Sequence, residues 1–144
     1  MGILTDIFAA DPDQLSQLQD EEAIPQDLFD TVEAKSIDPV KIAQLQTIVE
    51  GKPFDEAIGE CDLAYAVSET DGPWVMRFPA SLAARLVAAT PEELKRFGDR
   101  WASIEEFKLD RWPAEAVHGV LSDIAALAQR AAKRNHSLFA WTCA

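Results

Sequence analysis

The sequence predicts an α+β protein: one mixed or antiparallel sheet of about four strands with helices packed on it. Three observations lead to this class. Strand-like apolar stretches stand near both ends and in the middle of the chain. Helical stripes, several with their own start signals, lie between them. No linker, repeat or low-complexity tract divides the 144 residues, which read as a single domain over 1–144.

Ile3 to Phe8 reads as a strand that stops before Asp11-Pro12. Asp11 suits an N-cap, Pro12 the first helical position, and Gln14 completes a capping-box pattern, with Leu15 and Leu18 as the inward face of a short helix. Asp20-Glu21-Glu22 reads as an acidic loop. Between 24 and 37, Leu28, Phe29, Val32 and Ile37 follow neither the helical nor the strand period, and the expectation is a short helix or an extended turn. Asp38-Pro39 repeats the cap-plus-proline signal. Val40, Ile42, Leu45, Ile48 and Val49 then form a helical stripe that ends at Gly51, and Pro53 to Ile58 carries one or two further turns.

The clearest hairpin follows. Leu63, Tyr65 and Val67 alternate with Ala64, Ala66 and Ser68, the turn signal Asp71-Gly72-Pro73 intervenes, and Trp74, Met76 and Phe78 alternate with Val75 and Arg77. Pro79 opens a helix through Leu82, Leu86 and Val87. Thr90-Pro91-Glu92-Glu93 is a capping box that opens another, carrying Leu94, Phe97 and Trp101. Trp112-Pro113 starts the longest helix, with Val117, Val120, Leu121, Ile124, Leu127, Ala128 and Ala131 as its buried stripe. Arg130, Lys133 and Arg134 crowd its last turn, where cations suit the helix dipole. Leu138 to Thr142 closes the chain as a strand.

Charge narrows the function classes. With 25 Asp and Glu against 13 Lys and Arg, the net charge is −12, which argues against nucleic acid and against anionic membrane surfaces as partners. The acid is concentrated: residues 1–72 hold 17 Asp/Glu and 3 Lys, whereas residues 73–144 hold 8 Asp/Glu and 10 Lys/Arg. Such a face keeps a protein in solution, or it docks a basic partner. No run approaches the ~18 apolar residues of a membrane span. The start lacks the basic and apolar regions of a signal peptide, and Asp6 stands where a myristoylation pattern requires Ser or Thr. The expected location is therefore cytoplasmic, with Cys61 and Cys143 as free thiols.

Local catalytic signatures are missing from the sequence. There is no Gly-rich phosphate loop, no His-Glu-x-x-His, no nucleophile elbow and no Cys-x-x-Cys, and no cofactor is expected. A site would have to be assembled by folding. The candidates are Arg77 on the hairpin, Glu105, Glu106 and Asp110 as a small acidic cluster, Trp112 at a loop-to-helix junction, and His118 on the long helix with Glu115 and Ser122 at helical spacing. Carboxylate clusters can do acid/base work or bind a cation, although Arg100, Lys108 and Arg111 interleave with this one and make surface ion pairing the simpler expectation. A histidine can act as a general base, but His118 has no local nucleophile and reads as a helix-flank residue. Of the four tryptophans, Trp74, Trp101 and Trp141 fit the core and Trp112 is the one expected to be partly exposed. If the first strand pairs with the second strand of the hairpin, Asp6 and Arg77 would form a cross-strand ion pair.

The Met1-Gly2 start, the chain length, and the long basic-ended helix running through Arg134-Asn135-His136-Ser137-Leu138 into a final strand resemble the YfbM-like family of small bacterial proteins. The resemblance covers the two chain ends, about a fifth of the sequence by eye. It implies an α+β fold and carries over no activity and no site residue. The residues themselves favour a non-enzymatic protein–protein interaction protein, of immunity or antitoxin type, with an acidic docking face for a basic protein. The alternative is a small enzyme or ligand-binding protein with a site built from distant residues, and a homo-oligomer joined through an exposed tryptophan face is a third reading.

Overall fold

The computed structural model describes residues 4–19, 24–60, 63–66 and 72–143. Strand β1 (Leu4–Ala10) leads into a 3-10 helix (Pro12–Gln19), α1 (Pro25–Leu28) and β2 (Asp30–Glu33). Then come α2 (Pro39–Glu50), α3 (Phe54–Gly59), β3 (Leu63–Ala66), β4 (Trp74–Arg77), α4 (Ala80–Ala88), α5 (Pro91–Ala102), α6 (Glu105–Leu109), α7 (Ala114–Lys133) and β5 (Ser137–Cys143). The expected α+β class holds. The sheet has five strands in the order β2-β1-β5-β4-β3, and every pairing is antiparallel.

The fifth strand, β2, lies in the stretch that showed neither period. It is four residues long and pairs at the sheet edge with Asp6 to Ala9 of β1, too short for alternation to stand out. The acidic loop Asp20-Glu21-Glu22 and the hairpin tip through Asp71 lie outside the described residues. Register slips between Leu63 and Tyr65, and Leu63 turns out to be exposed rather than part of a buried face.

The start signals act as their chemistry requires. Asp38 accepts from the Lys41 backbone N–H at 2.9 Å, and Gly51 ends α2 in the left-handed region at φ 70°. Thr90 and Glu93 complete a reciprocal capping box at 3.1 and 3.0 Å. Beyond Asp11-Pro12 the chain takes the tighter 3-10 winding, with Gln14 reaching back to the Asp11 N–H at 3.1 Å.

Each face of the sheet is covered. On one, Ile7 and Ala9 of β1 and Leu138 and Ala140 of β5 pack beneath α7, joined by Leu82 and Leu86 of α4 and Ile42, Leu45 and Val49 of α2. On the other, Phe8, Val75, Phe139 and Trp141 form a smaller core under Leu15 and Leu18 of the 3-10 helix. Phe8 stacks on both Phe29 and Phe139, with centroids at 5.1 and 5.6 Å. Because β5 lies between β1 and β4, the conditional Asp6–Arg77 ion pair does not form: Asp6 stands opposite Glu33 and Trp141, and Arg77 opposite Phe139.

Candidate functional site

A cleft of about 500 Å³ opens where α4 and the end of α7 meet the start of β5 and the end of β4. That is an ordinary size for a small-molecule site, where roughly 300–1,000 Å³ is typical. Its cause is compositional. Ala83 of α4 and Ala128 and Ala131 of α7 all line it, so the two helices present methyl groups where larger side chains would close the gap.

Two chain reversals bring polar groups to this apolar slot. The first ends α7. Asn135 takes the left-handed conformation at φ 56°, its N–H donates to the Ala132 carbonyl at 3.2 Å, and the His136 N–H donates to the Ala131 carbonyl at 2.8 Å. This is a Schellman closure with asparagine in the position glycine usually takes. It sets His136 and Ser137 against the cleft at the head of β5. The second joins β4 to α4. The Phe78 N–H donates to the Leu138 carbonyl at 3.1 Å, and Pro79 turns the chain directly into α4. Arg77 and the first turn of α4, including Ser81, therefore both line the cleft. No side chain caps that first turn.

Nδ1 of His136 is buried and has no hydrogen-bond partner. Buried polar atoms are nearly always paired, so this nitrogen is an exception within a residue that itself lines the cleft. Among the described residues Glu60 is the one acidic residue lining the cleft. Its carboxylate already accepts from Lys52 at 2.7 Å and from Gln46 at 2.8 Å, and these bonds, Lys52 first, hold its pKa below the usual carboxylate range. Arg77 makes no ion pair among the described residues.

Arg77 is the only one of the six sequence candidates on this cleft. Glu105 and Glu106 form the first turn of α6. Asp110, just after α6, is ion-paired with Lys41. Trp112 is half-buried and tilts against Phe107, with centroids at 5.2 Å. His118 is bonded through Nε2 to Asp99 of α5 at 2.9 Å, rather than to its helical neighbours Glu115 or Ser122. No tryptophan lines the cleft. From sequence, His136 reads as a cap or turn residue after the basic helix end and Pro79 as a helix start, and neither they nor Ser137 stand among the site candidates. The signal for His136 was the asparagine before it, a left-handed helix terminator that fixes which way the next residue turns.

The acid of the first half is partly engaged in structure. Asp38 caps α2, Glu60 is held by Lys52, and Asp30 of β2 is gripped by Arg130 of α7 through two bonds of 2.6 and 3.0 Å, which lower its pKa. Asp6 is nearly buried; burial raises its pKa, bonds from Gln26 offset part of the rise, and Glu33 opposite adds to it. Among the described residues no three His, Cys, Asp or Glu side chains gather as a metal site, and no helix is long and apolar enough to cross a membrane.

An α+β domain with a polar-rimmed, alanine-walled cleft is the class the fold and site define. The chain matches no family model, no curated protein and no solved structure.

Proposed function

We propose that this is a small-molecule-binding protein whose site is the cleft between α4 and α7. The observation that carries the reading is the cleft itself, about 500 Å³, where Arg77, His136 and Ser137 join apolar walls supplied by alanines. Convergent polar groups at one end of an apolar slot select a ligand with a polar head and an apolar body. Among the described residues no nucleophile–base pair is bonded within the cleft, and binding is the function proposed.

The docking of a basic protein on the acidic half draws less support, because Asp38, Asp30 and Glu60 already serve the fold. The YfbM-like resemblance supplies no residue to either reading.

The test is an amide chemical-shift titration of the isotope-labelled protein with a panel of small amphipathic molecules. Shifts should concentrate at Val87, Ala131 and Leu138. Ala84→Trp, at an exposed position on the cleft wall, should abolish them while leaving the melting temperature within a few degrees. Shifts scattered over the surface, or unchanged in Ala84→Trp, would overturn the proposal.

A further inference from the structure

We infer that the ligand is an anion-headed amphiphile, a carboxylate or phosphate on an aliphatic body, with Arg77 receiving the head. This rests on the cleft being the binding site and goes further by assigning the sign of the ligand's charge. The assignment is not obvious for a chain of net charge −12, since the long-range field of the protein is negative. The sign is decided locally.

Arg77 is the only cationic side chain on the cleft, and among the described residues no carboxylate neutralises it. Its guanidinium presents a planar fork of donors that matches the two oxygens of a carboxylate or the oxygens of a phosphate. Glu60, the one acid on the cleft among the described residues, is engaged by Lys52 and Gln46, so its charge is screened and both oxygens are bonded. The first turn of α4 adds a field of the same sign as Arg77, with N–H groups that no side chain caps. Ser137 provides a neutral hydroxyl on the same cleft. A cationic head would meet Arg77 and the helix start, both unfavourable, and would find Glu60 already occupied.

The body of the ligand follows from the walls. Val87 and Ala83 on one side and Ala128 and Ala131 on the other offer only carbon. A flexible chain of about eight carbons fits a volume of this class with its head at the rim.

Four probes with one tail separate the possibilities: octanoate, octyl phosphate, 1-octanol and octylamine, each titrated below its aggregation concentration against the intact protein. The anions should shift the amides of Arg77, Val87 and Leu138 and bind at least ~10-fold more tightly than octanol, the value of one hydrogen bond to a charged group. The stronger of the two anions identifies the head. Arg77→Gln should remove that preference, bringing the anions down to the affinity of octanol. Equal binding of octanol, tighter binding of octylamine, or an anion preference that survives Arg77→Gln would each overturn the anionic head while the cleft remains the site. If none of the four moves the cleft amides, the binding-site reading fails as well.

Discussion

The indole N–H of Trp101 donates to the backbone carbonyl of Lys41 at 2.9 Å, and both side chains are buried. The bond ties α5, in the near-neutral half of the chain, to α2, in the acidic half. Trp101 also meets Phe107 edge-on, with centroids at 5.0 Å and planes at 85°. Trp101→Phe keeps an aromatic ring for that contact but deletes the donor and part of the buried volume. It should cost about 1–3 kcal/mol, read as a lower urea midpoint with an unchanged slope. A midpoint equal to wild type would show that the bond is dispensable.

Lys41 is one of three cations in residues 1–72, and it turns inward. Its ammonium donates to the Ser36 carbonyl at 2.6 Å, pairs with Asp110, and lies 5.4 Å from the Phe107 ring centre. The lysine side chain is 1% exposed and the aspartate 45%. Removing only the acid strands a desolvated charge, whereas removing the charge itself does not. Asp110→Ala should therefore destabilise by about 1–3 kcal/mol, below the fully buried case because water reaches the aspartate side. Lys41→Met should stay within about 1 kcal/mol of wild type. Chemical denaturation of both variants checks the order, and the reverse order would contradict this account.

Asp6 makes stability depend on pH in a distinctive direction. Its folded pKa is raised, by burial first and then by Glu33 opposite, against the bonds from Gln26. Between the unfolded and the folded pKa the native state binds more protons than the unfolded chain, so this residue's contribution falls as pH rises through that interval. Asp6→Asn keeps an acceptor for Gln26 and removes the titration. The variant should match wild type well below the carboxylate range and gain on it as pH rises, with the advantage level above Asp6's folded pKa. Melting temperatures measured from pH 3 to pH 8 provide the check; a gap that narrows with rising pH would refute the assignment.

Much of the fold was legible in local chemistry. Asp38-Pro39, Thr90-Pro91 with Glu93, and Gly51 sit where their side chains or conformations act, so the helices they bound were readable. The hairpin was readable from alternation. Unreadable features share one cause: they depend on residues far apart in sequence. β2 is a strand because β1 lies beside it, not because of its own four residues. Lys41 reads as a solvated charge until Asp110, 69 positions away, is brought to it. The cleft arises from alanines on two helices that look like ordinary helix formers in isolation. Arg77 could be named from sequence as an odd charge in a strand, but its setting could not.

Gly98 and His118 supply a test of how α5 and α7 fit. Gly98 is buried in the middle of α5, and a Cβ there would come within 2.3 Å of Nδ1 of His118. The imidazole lies over the glycine and reaches Asp99 at 2.9 Å. In wild type, Gly98→Ala should force the ring aside and break that bond, cancelling most or all of the ~1 kcal/mol that alanine gains over glycine inside a helix. In a His118→Ala background nothing remains to displace, and the same substitution should stabilise by about 1 kcal/mol. The two backgrounds should thus differ by at least ~0.5 kcal/mol in a double-mutant cycle followed by urea denaturation. Equal effects in both would mean that the glycine is not there to seat the histidine. Among the described residues the ring's side-chain bond is to Asp99 on the adjoining helix, so a positive coupling would mark His118 as part of the packing between α5 and α7.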